Sequence, residues 1–169
     1  MEEKIRSVDT VCAALCAAMD IAPPSGAAPA NPTLTAYVER AFAGRRADRV
    51  FMYNPDAVAA WITDRYPAFM PEVFDGEPCV LPLQTVMPSV TPVCFATMYT
   101  GVQPAVHGIC RYEKPVIRID TIFDALIRAG KRAAIVADTE CSMEKSSANG
   151  RWIISCSIPL PRSTPKPRS

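Results

Sequence analysis

Apolar positions recur at helical spacing near the start of this 169-residue chain: Val8, Val11, Cys12, Leu15, Cys16 and Met19 share one helical face. Asp9 or Ser7 can cap such a helix, and Pro23 and Pro24 end it. A Pro/Ala/Gly/Ser linker spans Ala22 to Pro32, and a second short helix from about Thr33 to Ala43 presents Leu34, Tyr37, Val38 and Phe42. The pattern then changes. Arg49–Tyr53 (RVFMY) is a short, continuous apolar run of strand type, followed by Asn54, Pro55 and Asp56. Met70–Pro88 is rich in proline and poor in periodicity, and it reads as a loop with one short strand near Cys79–Leu83.

Helical spacing returns downstream at Ile119, Ile122, Phe123, Leu126 and Ile127, with Asp120 as the expected N-cap and Gly130 as the C-terminal stop. Lys131 and Arg132 lead into Ala133–Ala137 (AAIVA), a buried-strand pattern that ends at Asp138. Helix, glycine, basic pair and apolar strand together make half of a βαβ unit. An α/β fold with a helical lead-in follows: residues 1–48 as lead-in and linker, 49–144 as the α/β part, and 145–169 as a tail.

Charge and composition remove several functional classes. With 18 Lys and Arg against 17 Asp and Glu, there is no basic footprint for nucleic acid. No apolar stretch is long enough to span a membrane. The N-terminus, Met1, Glu2, Glu3, Lys4, is not the basic start of a secretory signal. Seven cysteines without a paired spacing point to reduced thiols and a cytoplasmic setting. Cys12 and Cys16, four residues apart, are packing residues before they are metal ligands.

The chemistry concentrates between Pro88 and Ile109, PSVTPVCFATMYTGVQPAVHGI. Thr91 stands where an extended segment gives way to a short helix, the helix closes at Gly101, and a turn follows through Pro104, His107 and Gly108. A hydroxyl at a helix start faces unpaired backbone N–H groups and the positive end of the helix dipole, an arrangement that binds phosphate. The plainer alternative is a connection in which Thr91 is only an N-cap with Pro92 at the first helical position.

This run resembles the nucleophile segment of the alkaline phosphatase superfamily, in particular the type I phosphodiesterase/nucleotide pyrophosphatase branch. There a Thr and a short helix lead into a TG-x-x-P-x-x-HG turn, which here is Thr100, Gly101, Val102, Gln103, Pro104, Ala105, Val106, His107, Gly108. The likeness extends from about Arg49 to Met143 and implies the N-terminal half of the sheet of a three-layer α/β sandwich. It implies Thr91 as catalytic nucleophile and metal ligand, and Asp56 as the first metal ligand. A carboxylate at the end of a parallel strand also suits that part on physical grounds, since it points into the crevice where such sheets bind ligands. Asp56 can equally cap a helix starting at Ala57, where the family usually has Gly.

The implied chemistry is a metal-dependent phosphoester hydrolysis through a covalent phospho-Thr, with a pair of divalent metals, zinc most often, as cofactors and a phosphate ester as substrate. Two departures bear on it. Cys94 stands where the family's Asn steadies a phosphoryl oxygen, and a thiol is a weak donor. The family's further ligands are Asp and His residues from a C-terminal half, whereas this chain has one His, in the turn where the family uses it structurally. The chain is therefore expected to be an inactive N-terminal fragment of a phosphodiesterase-like hydrolase, lacking its C-terminal half. The alternative is a non-catalytic α/β module that binds a phosphorylated ligand or a protein partner.

The tail differs in character. After Glu144 no acidic residue occurs, and basic residues are scattered among Ser and Pro up to PLPRSTPKPRS, which reads as disordered. One permitted codon choice for Lys145–Ser169, read from the third base of the Lys145 codon, gives IFREREMDYFMFDTAAEVNAKAAE. That peptide carries an apolar strand-like run and an Ala/Glu/Lys helix behind Asp-Thr, the α/β pattern that the tail lacks. A truncation or frameshift near Lys145 is the expectation.

Overall fold

The computed structural model describes residues 7–55, 58–71, 79–114, 116–137 and 153–155. Among them the chain is mainly helical with little strand. The first helix, α1 (Thr10–Ala18), is built from Ala, Leu and Cys, which lose little freedom in a helix. It buries Cys12 and Cys16 completely, with Val8 and Met19 nearly so. Asp20 at φ 55° ends it, before the prolines.

The segment expected as a linker is instead a docked strap. Ser25 N–H donates to Asp120 Oδ2 at 2.9 Å. Ala28 N–H donates to the Gly101 carbonyl at 2.7 Å, and Asn31 N–H to the Thr10 carbonyl at 3.1 Å. Asn31 is fully buried. Its Oδ1 accepts from Thr33 and Leu34 N–H at 3.0 and 3.2 Å, and its Nδ2 donates to Thr10 Oγ1 at 3.2 Å. That cap, with Pro32 next, starts α2 (Pro32–Phe42).

Arg49–Tyr53 is not a strand, which corrects the expectation. Phe51 is 91 % exposed and Tyr53 63 %. A strand needs a neighbour for its N–H and C=O groups, and among the described residues no ladder forms on this run. Nor is Cys79–Leu83 a strand. The pairing falls just beyond it, as a single parallel bridge of Gln84 to Ser7 with Val8 N–H on the Gln84 carbonyl at 3.0 Å. Between these segments lie α3 (Ala60–Arg65) and a 3₁₀ turn (Pro67–Phe69).

The core forms around α4 (Thr91–Thr100). Val93 and Ala96 are fully buried against Cys12 and Cys16 of α1 and against Val86, Ile109, Ile117 and Ile122. Tyr99 sits between Phe95 and Phe123, edge-on to the latter with centroids 4.9 Å apart. After α4 come α5 (Pro104–His107) and α6 (Ile122–Arg128). Phe123 and Leu126 pack on the core as their spacing predicts, whereas Ile127 is exposed.

Thr121, not Asp120, caps α6. A reciprocal capping box joins it to Asp124, whose carboxylate accepts from Thr121 N–H at 2.9 Å. Asp120 instead receives Ser25 N–H and both arms of the Arg128 guanidinium, Nη1 on Oδ1 at 2.5 Å and Nη2 on Oδ2 at 2.8 Å. Arg128 first, then the Ser25 N–H, holds its carboxyl below the usual range. At the other end, Gly130 at φ +69° lets its own N–H and that of Lys131 return to the Ile127 and Leu126 carbonyls.

The predicted strand is present as β1 (Ile135–Ala137), paired in parallel with β2 (Ile153–Ser155) in the register Ile135 with Ile153. β2 corrects the expectation of disorder at three residues of the tail. The rest of 145–169 lies outside the described residues, as does Asp138. No helix among the described residues is long and apolar enough to cross a membrane.

Candidate functional site

Thr91 is the first residue of α4, and Val90, extended at φ −123° and ψ 152°, is the N-cap. Thr91 is therefore not the cap, and its half-buried side chain stands one step inside the helix, with Pro92 second. The helix start offers fewer donors than expected. Pro92 has no N–H, Val93 N–H turns back to the Val90 carbonyl at 3.1 Å, and Cys94 N–H joins the same oxygen at 3.0 Å. What this end of α4 still offers an anion is the helix dipole. Cys94 is half-buried and packs against the core.

The far end of α4 is fixed by contact. Gly101 adopts φ +73°, and a Cβ there would lie 2.7 Å from the Ala27 Cβ and 3.2 Å from the Cys12 Cβ. Only glycine satisfies both the backbone and the space. Thr100 Oγ1 donates to the Ala96 carbonyl at 2.7 Å and accepts from Val102 N–H at 3.3 Å, which turns the chain.

His107 closes the turn. Its Nδ1 accepts Ile109 N–H at 3.1 Å, so the ring proton sits on Nε2, 3.0 Å from Thr97 Oγ1. That hydroxyl passes its own proton to the Val93 carbonyl at 3.0 Å. The ring is buried, and burial lowers its pKa below the ordinary value. Both nitrogens are engaged within the chain, so His107 is a structural residue here.

A second polar join went unnoticed in the sequence. Asp9 Oδ2 accepts from Gln103 Nε2, tying α1 to the turn after α4. Its Oδ1 is buried without a hydrogen-bond partner. An acidic residue at the helix start and an amide in the turn were the available signals, but their pairing across 94 positions was not.

Asp56 and Ala57 lie outside the described residues. Among the described residues no group of three or more His, Cys, Asp or Glu is placed to hold a metal ion. With the chain's one imidazole committed at both nitrogens, the described residues do not fit a two-metal centre. The Cys12 thiol donates to the Tyr99 carbonyl at 3.6 Å, and its hydrogen bond with Cys16, together with burial, pushes its pKa up. It stays a thiol and acts as core.

Comparison with protein-family models, curated proteins and solved structures finds no match to this chain.

Proposed function

We propose that residues 49–144 are the nucleophile-bearing part of a metal-dependent phosphodiesterase or phosphatase fold of the alkaline phosphatase type, and that this chain by itself turns over no substrate. The observation that carries the reading is the placement of Thr91. It opens a ten-residue helix that is packed into the core and closed by a left-handed glycine and a histidine-held turn. A hydroxyl at such a point is held in place while the dipole favours a phosphoryl group beside it. In the proposed reaction Oγ1 attacks phosphorus and gives up its proton to the departing ester alcohol, and water then cleaves the phospho-Thr, releasing a phosphate monoester from a diester or phosphate from a monoester and restoring the hydroxyl.

The finer fold, a three-layer sandwich, is supported by the order α6, left-handed Gly130, β1, and by the parallel sense of β1 and β2. A parallel pair is the beginning of a sheet that needs more strands and covered faces. The second reading, a non-catalytic module for a phosphorylated ligand or protein partner, is favoured by Cys94, a weak donor that packs on the core where the family's Asn steadies a phosphoryl oxygen.

The test has two arms. Sequencing the gene through the Lys145 codon should show the shifted frame open, with Asp and His residues in a ligand pattern. The protein with that frame restored should hydrolyse bis(p-nitrophenyl) phosphate with zinc, and Thr91→Ala should lower kcat at least about a thousandfold. Turnover that survives Thr91→Ala overturns Thr91 as nucleophile. Robust Thr91-dependent turnover by the 169-residue chain overturns its inactivity. Phosphate-ester binding without turnover in the restored protein moves the reading to the binding module.

A further inference from the structure

His107 joins two pieces of chain that nothing covalent holds together at that point. Its Nε2 reaches Thr97 in the middle of α4, and its Nδ1 takes the N–H of Ile109, whose side chain belongs to the core. We propose that His107 is an acid-released latch: neutral, it clamps the turn Val102–Ile109 to the helix that carries Thr91, and one proton opens the Ile109 end of the clamp. The inference is independent of any phosphoryl role for Thr91.

The argument is one of donors and acceptors. In the neutral ring the Nδ1 lone pair accepts, Nε2–H donates to Thr97 Oγ1, and the Thr97 hydroxyl continues to the Val93 carbonyl. An added proton must go to Nδ1, where it meets the Ile109 N–H, donor against donor, at a site away from water. The Thr97 bond survives, so opening begins at Gly108 and Ile109. Gly108, at φ +77°, is the point at which the chain turns.

Among the described residues no countercharge steadies the imidazolium. α4 and the rest of α5 contain no charged residue. The charged groups bordering the turn are Asp9, bonded to Gln103 at the far end, and Arg111, paired with Glu113 at 3.1 Å beyond it. Burial alone depresses the ring's pKa. The unfolded chain takes up the proton near the ordinary value of 6.5, and the folded ring resists it. The latch is therefore fully stabilising above about pH 6.5, and its contribution is lost as pH falls from there toward the folded value.

The chain has one histidine, so ¹⁵N imidazole NMR reads this ring alone. The expected result is an Nε2–H tautomer at pH 8 and a titration midpoint below 6.5. Amide hydrogen exchange at Ile109, corrected for intrinsic chemistry, should rise about tenfold between pH 7 and pH 5 while the amides of Cys12 and Cys16 keep their protection. In His107→Asn, whose Oδ1 can accept Ile109 N–H without titrating, the rise should vanish. An Nδ1–H tautomer, a midpoint at 6.5 or above, an equal rise in α1, or the same rise in His107→Asn would each overturn the latch. If His107→Asn does not fold, the wild-type titration and exchange decide alone.

Discussion

Two stretches with similar apolar content behave in opposite ways. From Thr91 to Val102, most side chains are buried. From Asp48 to Thr85, no described residue is, although Val50, Phe51, Met52, Tyr53 and Trp61 lie there. The difference is one of backbone. A helix satisfies its own N–H and C=O groups and asks its neighbours only for an apolar surface, which α1, Ile109 and α6 supply to α4. A strand must find both ladder partners and covered faces, and Arg49–Tyr53 has neither among the described residues. Hydrophobicity says that a segment wants burial; it does not supply the partner.

That contrast can be broken or sharpened by mutation. The largest effect is expected at the closed end of α4. Gly101→Ala forces an L side chain into a left-handed backbone and drives its Cβ onto Ala27, at a cost of about 3 kcal/mol. A urea titration showing less than about 1 kcal/mol would mean that the strap is not held against α4. Asn31→Ala is next. It removes the α2 cap and unpairs the buried Thr10 contact, for about 2 kcal/mol. A loss confined to the helicity of α2, with the urea midpoint unchanged, would show that α2 is not coupled to the core. The smallest effect belongs to the other stretch. Phe51→Ser should change stability by no more than about 0.5 kcal/mol, since the ring touches little in this chain. A cost above about 1.5 kcal/mol would mean that Phe51 is buried in solution and that the two stretches are alike after all.

The helices around the core were legible because their signals are local. The spacing of Val8 to Met19, the Pro92 and Gly101 that bound α4, and Gly130 after α6 each act within a turn or two of chain. Caps were less legible by one residue. Thr121 with Asp124 won over Asp120 because only the box lets both side chains reach backbone donors. At α4 the helix begins at Thr91 as its sequence indicates, but the N-cap of the alternative reading falls on Val90, whose carbonyl also draws back the Val93 N–H. The strap was missed because a Pro/Ala/Gly/Ser stretch carries no periodicity, and its anchors, Gly101 and Asp120, lie far along the chain.

The sequence by itself determined where α1, α4 and α6 form, that Thr91 stands at the start of α4, and that Gly101 and Gly130 end α4 and α6. All of these follow from covalent restrictions and short-range hydrogen bonds. Only the tertiary structure decided that the segment between α1 and α2 is a strap and not a linker. The same holds for the commitment of both His107 nitrogens inside the chain and for the exposure of RVFMY. Those outcomes depend on contacts between residues distant in sequence, where one approach of Ala27 to Gly101 settles what no local pattern encodes.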